Sequence, residues 1–457
     1  MKIYTRLRHR IILLVMLLTL TGCKAPFIDT ADWNHPEDES QDAVDVAVYT
    51  IPPQPTATPA PTPFPEYDIS LMMVGDNLMH MGIVYSGKQD DGSYDYSMLY
   101  EDISRQLQSA DIKIINQETI LGGNALGFSG YPEFNSPTEV GDAIAAADFN
   151  VVLHASNHAA DQKLTGLENC AAFWQIQHPE VMMLGIRGAD DSETELRTGS
   201  AHASADRTAD WHMDESGTGY MTVQGITFAI LNYTYGPNME VIPSSIRDHL
   251  NFLCDYNRQS GQLDFTSINP QVLEDIAAAR ENADVVVVCP HWGTEYITTP
   301  SSFQEKFALQ MTEAGADVII GTHPHVVQPV EWIEAENGRR SLCFYSLGNY
   351  VSTQKQGICM LEAMAWITFH VDESGVSITE QLSGPIPLVC QYTSGPVRFE
   401  GVYLLQDYTQ EQAARHGIRS YGGVNLSLDD LLKWSEDIFG DTALNWEDIF
   451  PAQNISQ

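Results

Sequence analysis

Asp76, Glu118, Asn157, His158, His291, His323 and His325 are the residues of this chain whose types and placement point to chemistry. Each follows a short apolar run of the kind that forms a buried strand, and is released where the strand should stop. ISLMMV lands on Gly75-Asp76, IKIIN on Glu118 and NVVLHA on Asn157-His158, while VVVV leads to His291 and VII to His323 and His325. Two carboxylates, an amide oxygen and several imidazoles make a hard-to-borderline ligand set. It suits Mn, Fe or Zn, and the lack of thiolate argues against a structural zinc site. Such a set can hold two ions about 4 Å apart and activate water between them. Singly, each signal is weak: a Gly-Asp after a strand is usually a turn, and a lone strand-end histidine is more often a satisfied polar group. His323-Pro324-His325 is stronger, because alternate residues at a strand end can turn toward one ligand.

These residues need elements to position them. A phrase of helix, Ala-Asp and apolar strand occurs at 110–111, 147–148, 283–284 and 316–317, each time six to nine positions before a polar residue of the set. The repetition reads as successive crossovers of one sheet, all presenting to the same edge. Unbroken Val/Ile runs suit parallel strands buried on both faces, and in open α/β sheets ligands gather beyond the carboxyl ends of strands. Helices are expected over about 96–110, 137–147, 166–177, 270–282 and 299–315, the last opened by Thr299-Pro300 and stopped by Gly315. GYMTVQ and ITFAILNY, hinged at Gly225, form a hairpin. SLCFYSLGNYV and LEAMAWITFHV alternate and suggest antiparallel strands, and helices at 409–416 and 427–438 follow.

With 457 residues the chain holds one large α/β domain or two smaller ones. Its net charge of −38 argues against nucleic-acid binding through phosphates and makes a polyanionic ligand awkward unless a metal or local bases offset the repulsion. Lys2, Arg6, Arg8 and Arg10 precede an apolar stretch, 11–20, that is short for a spanning helix. Leu20-Thr21-Gly22-Cys23 resembles the lipobox of bacterial lipoproteins, which implies cleavage before Cys23, its lipidation, and a lipid-anchored body on the extracytoplasmic face of the cell membrane. Residues 1–23 are thus a signal peptide. Residues 24–66, acidic and then Pro/Thr-rich, read as a disordered tether. A folded domain is expected over 67–440 with a surface insertion at 187–218, followed by a tail at 441–457. The six remaining cysteines show no C-x-x-C spacing and read mostly as buried thiols.

MMVGDNLMH, NQETIL, HASNHAAD, PHWGTEY, GTHPHVVQPVE and YSLGNYV, in that order, resemble the CapA-type capsule and poly-γ-glutamate biosynthesis proteins, a family related to the calcineurin-like metallophosphoesterases. The resemblance covers about 69–352. It implies a four-layer α/β/β/α sandwich of the metallophosphatase type, with the site at one end. It makes Asp76 the first metal carboxylate and sets Glu118 where phosphoesterases place a bridging aspartate. Asn157 becomes a ligand, His158 a catalytic group near the reacting atoms, and His291, His323 and His325 the later metal histidines. Two departures stand out: Leu78 occupies the histidine position of D-x-H, with His80 two residues on, and Ser156 precedes the Asn-His pair. One expected ligand is therefore missing, so the centre holds one ion or two. Trp292, Gly293, Glu295 and Tyr296 look like a substrate shelf, with Glu295 as a general acid/base or a solvated loop carboxylate. Asn135-Ser136-Pro137 resembles a loop facing the site. Gln328 and Glu331 are candidates to orient histidines, and 346–350 to turn close to the site through Gly348.

Three functions follow. The first is a metal-dependent hydrolase or transferase acting on poly-γ-glutamate or a related anionic envelope polymer, in synthesis, export, attachment or release. The second is a phosphoesterase on an envelope phosphodiester. The third is a non-catalytic accessory that binds polymer beside a membrane synthase.

Overall fold

The computed structural model describes residues 65–188, 197–204 and 208–450. The signal peptide, Cys23, nearly all of the tether, part of the 187–218 stretch and residues 451–457 lie outside the described residues.

The chain builds half of one sheet, then a second sheet, then returns to finish the first. β1 (Tyr67–Asn77), β2 (Ile112–Asn116), β3 (Val151–Leu153) and β4 (Met182–Leu184) lie side by side in parallel. β5 (Thr198–His202), β6 (Thr208–Met213), β7 (Gly219–Val223) and β8 (Ile226–Thr234) begin the second sheet as antiparallel neighbours. After a ribbon of β9 (Cys254–Tyr256) and β10 (Leu263–Ile268), the second sheet is completed by β11 (Val285–His291), β12 (Val318–Ile320), β13 (Val330–Glu334) and β14 (Arg340–Phe344). Its order is β13-β14-β12-β11-β8-β7-β6-β5. β15 (Asn349–Val351), β16 (Leu361–Asp372), β17 (Gly375–Ile378), β18 (Gly384–Thr393) and β19 (Arg398–Leu404) return to the first. Its order becomes β19-β18-β16-β1-β2-β3-β4, with β15 on β1 and β17 on β16.

The central strands of both sheets are buried on both faces, which is why they read as unbroken apolar runs. Ile69, Leu71 and Met73 of β1 pack into the same core as Val285, Val287 and Cys289 of β11. Cys289 Sγ lies 3.9 Å from Met73 Sδ, and the rings of Phe228 and Phe369 meet edge-on at 5.1 Å. The alternate residues, Met72, Val74, Val152, Val286 and Val288, join the core that also contains Cys170 and Trp174 of helix Lys163–Gln177 and Ile276 of helix Pro270–Asn282. Helix, sheet, sheet and helix are therefore the four layers, as the resemblance implies.

Several local expectations change. The four Ala-Asp phrases feed two sheets, β2 and β3 in one and β11 and β12 in the other; apolar runs report burial on two faces but not which neighbour pairs. β14 runs parallel to β12 and antiparallel to β13, and β15 runs parallel to β1. Residues 97–103 form two 3-10 turns before the short helix Ser104–Ser109. Helix Ser302–Ala314 starts at Ser301 rather than Thr299, because Ser301 and Gln304 form a reciprocal capping box. The described part of 187–218 is not a surface insertion: β5 and β6 extend the second sheet, and Ala209, Trp211 and Met213 alternate into the inter-sheet core. Nor is 441–450 a loose tail. Trp446 is buried, with its ring 5.1 Å from Trp366 and 4.5 Å from Phe450.

Candidate metal centre

The strands that carry the polar residues end at one place. Asp76 lies near the end of β1, where the backbone passes against Gly348: its N–H donates to the Gly348 carbonyl at 3.0 Å. A Cβ at Gly75 would sit 2.1 Å from that oxygen, so only glycine fits there. Asp76 Oδ1 accepts from Asn116 Nδ2 at 2.7 Å, and Oδ2 accepts from the His323 N–H at 3.1 Å. His325 Nδ1 lies 3.3 Å from Asp76 Oδ2, and its Nε2 lies 3.7 Å from Glu118 Oε1. His291 Nε2 is 2.9 Å from Asn157 Oδ1 and 3.9 Å from Glu118 Oε1. Asp76, Glu118, Asn157, His291, His323 and His325 thus form one buried cluster fed by both sheets.

Two of its members have polar atoms with nothing to bond. Both carboxylate oxygens of Glu118 and Nδ1 of His323 are buried without a hydrogen-bond partner. One ligand atom from each of Glu118, His323 and His325 lies within 4.8 Å of the others. A buried carboxylate with no donor is costly, and a divalent cation removes that cost. The donor set therefore fits a metal ion. Electrostatics agree. Burial raises the Glu118 carboxyl well above its ordinary range, Asp76 and Glu295 add repulsion, and His325 opposes them. Burial and the neighbouring imidazoles push His291 and His323 well below theirs, which keeps them in the neutral, ligating form. Burial also opposes charge on His325, but Glu118 and Asp76 outweigh it and lift that imidazole to about 9. The acids of the cluster thus favour positive charge beside them.

The backbone is bent to achieve this. His323 and His325 adopt φ of 100° and 58°, a region that non-glycine residues avoid at a cost of about 1–3 kcal/mol each. Neighbours hold the rings. His325 Nδ1 lies 3.1 Å from Asn349 Oδ1, whose amide donates back to the His325 carbonyl. His291 Nδ1 lies 3.0 Å from Thr322 Oγ1, and the Tyr235 ring sits 4.7 Å from that of His323. His158 stands beside the cluster with Nδ1 2.7 Å from Asp161 Oδ2 and its ring 4.7 Å from Phe134. Asn238 links the pair, accepting from Asn157 Nδ2 at 3.3 Å and lying 3.4 Å from His158 Nδ1.

Other expected residues separate from the cluster. Trp292 is no substrate shelf: it is buried, and its indole N–H donates to the Tyr345 carbonyl at 2.9 Å. Asn135 does not face a ligand either; it accepts from Gly122 N and donates to the carbonyls of Gly123 and Gly127, so both its side-chain polar atoms tie down that loop. Gln328 orients no histidine but holds the 297–299 loop through the carbonyls of Ile297 and Thr299. Glu331 is exposed on β13. Tyr296 is at the rim, 38% exposed, with its ring 6.0 Å from His325. Glu295 is exposed on the same loop and contributes to the field at Glu118 and His325. Leu78 is buried in place of the absent histidine, and His80 Nδ1 instead accepts from Thr353 N at 3.3 Å. Cys170, Cys254, Cys289, Cys343, Cys359 and Cys390 are all free and buried.

Asn116, Asp161, Asn238, Thr322 and Asn349 escaped the sequence reading, as did Glu362, a buried acid on β16 whose two oxygens lack partners and whose carboxyl is raised by burial and by Asp76. An asparagine or glutamate inside an otherwise apolar strand was the signal available for three of them.

The family model for bacterial capsule synthesis protein PGA_cap matches residues 70–202 and 209–354. PGA biosynthesis protein CapA of Bacillus subtilis (strain 168) is 29% identical over 229 residues, 50% of this chain and 48% of that protein. Capsule biosynthesis protein CapA of Bacillus anthracis is 35% identical over 166 residues, 35% of each. These alignments span about half of the first relative's length and about a third of the second's. A crystal structure of a hypothetical protein from Thermus thermophilus superposes with a TM-score of 0.35 and 13% identity, over 68% of this chain and 98% of its own, too weakly to bear on the fold. The two matched segments contain every residue of the buried cluster, and the chain belongs to the bacterial capsule synthesis protein family, PGA_cap.

Proposed function

We propose that this protein acts on poly-γ-glutamate or a related capsule polymer outside the cell membrane, through a metal-dependent, hydrolase-like site. The single observation that carries the reading is the convergence of acids, amide and imidazoles with Glu118 and His323 left open toward a common point. The relatives, named for capsule and PGA biosynthesis, supply the polymer. Glu118, His323 and His325 would hold an ion of the Mn, Fe or Zn class, with Asp76, Asn157 and His291 beside them. When bound, such an ion polarises a carbonyl or phosphoryl oxygen and lowers the pKa of water.

This chain's own residues do the rest. His158 has Nδ1 engaged by Asp161, which leaves Nε2 to pass a proton at the reacting group. Tyr296 and Glu295 stand on the exposed rim loop, where a polymer segment would lie. The lipobox-like Leu20–Cys23 sequence supports anchoring through a lipid on Cys23, with a membrane synthase as a natural partner. No helix among the described residues is long and apolar enough to cross a membrane.

The test incubates the full chain with poly-γ-glutamate and, separately, with a model phosphodiester. Shortening of the polymer that is lost on chelation and in an Asp76→Ala, His291→Ala double variant is expected. Phosphate ester cleavage alone would transfer the site to an envelope phosphodiester. Tight metal binding without turnover on either would leave a polymer-binding accessory.

A further inference from the structure

A cavity of about 470 Å³ is lined by none of the metal-cluster residues. Its walls include Arg187, Arg247 and Arg258 together with Glu215, Asp248 and Asp275. In a chain with 61 acids against 23 bases, an even balance of guanidinium and carboxylate in one cavity stands out. The positive groups are braced from behind. Arg187 donates to the Ser216 carbonyl and to Asn251 Oδ1, and Arg247 donates to the carbonyls of Ile242 and Arg258. A guanidinium has five N–H donors, so each keeps donors to spare, and Arg258 forms no side-chain hydrogen bond among the described residues. The negative side is built too: buried Asp275 is held by Tyr233 Oη–H at 2.9 Å and Gln271 Nε2 at 3.0 Å.

We propose that this cavity binds an α-amino-acid head group, its carboxylate on the arginines and its ammonium on Asp248 and Asp275. A ligand carrying carboxylates alone would be repelled by the three acids; one that also brings an ammonium is matched on both counts. The proposal rests on the polymer reading above for the source of that group. In a γ-linked glutamyl chain the γ-carboxyl is spent on the amide, so the amino-terminal residue alone carries both a free α-ammonium and a free α-carboxylate. Free glutamate offers the same head. Tyr233, in the cavity wall, is two residues from Tyr235, whose ring packs on His323. A chain end held here lies beside the strand that leads to the metal cluster.

Calorimetric titration of the full chain with γ-glutamylglutamate, its N-acetyl derivative and free glutamate tests this. The unblocked dipeptide is expected to bind at least tenfold more tightly than the acetylated one. Arg258→Ala and Asp248→Asn, both at exposed positions, should each weaken it tenfold or more while leaving metal content and Tm unchanged. Free glutamate binding as tightly as the dipeptide identifies the free amino acid as the ligand; a dipeptide preference identifies the chain end. Equal binding of blocked and unblocked dipeptide, no binding, or binding unchanged in both variants overturns the proposal. Dipeptide binding here with poly-γ-glutamate left intact would sink the processing reading alone.

Discussion

Asn135 and Glu118 are both buried polar residues in loops beyond the first sheet, and they differ in one respect that matters. Every polar atom of Asn135 is paired within its own loop, whereas neither oxygen of Glu118 meets a donor. His154 and His416 resemble Asn135: Trp174 Nε1 donates to one at 2.8 Å, and the other bridges the Cys390 carbonyl and the Ile418 N–H. Burial of a polar side chain therefore does not mark a ligand site. Unpaired ligand-type atoms that converge on one point do, as Glu118 and His323 with His325; isolated unpaired atoms such as Trp366 Nε1 and Trp446 Nε1 carry no ligand set.

The contrast breaks most decisively at Glu118. Glu118→Gln should cut metal affinity by more than the ~10–100-fold typical of losing an outer partner, read by metal titration of the purified chain. Unchanged affinity would put the ion elsewhere. Asn349→Ala comes next, at roughly 10–100-fold, since it frees the His325 ring without removing a ligand. Asn135→Ala should do the reverse. It should cost about 2–3 kcal/mol in urea denaturation through the unpaired loop groups and leave metal affinity within about twofold; a large metal effect would return Asn135 to the site.

A further effect is pH-dependent. Burial depresses His416 to about 4 and His154 to about 3, while the unfolded chain titrates near the ordinary 6.5. Between these values the unfolded state binds more protons, so stability present above pH 6.5 is lost as pH falls toward 4. For His416 the loss is on the order of 3 kcal/mol. Protonation also blocks the ring nitrogen that accepts from Ile418 N–H. His416→Gln should flatten that part of the stability profile, and a slope unaltered by the substitution would mean the ring is not held neutral.

Much of the buried cluster was legible in order along the chain, because parallel strands release polar residues at their ends. Trp292 and Asn135 misled for a related reason. A motif places residues close in sequence, but successive strand residues point to opposite faces, so Trp292 turns into the core while His291 turns into the cluster. The alternation of β6 was equally hidden, its inward Ala209, Trp211 and Met213 interleaved with Thr208, Asp210 and His212.

By itself the amino-acid sequence determined the strand ends, the donor types and the two-faced burial, since all three depend on neighbours within a few residues. The tertiary structure decided which sheet each strand joined, and with it the meeting of Asp76 with His323 and of Asn157 with His291. Those pairings join residues far apart in the chain, and local periodicity carries no record of them. Whether a buried polar atom is paired or open is likewise settled only when the distant partner is in place.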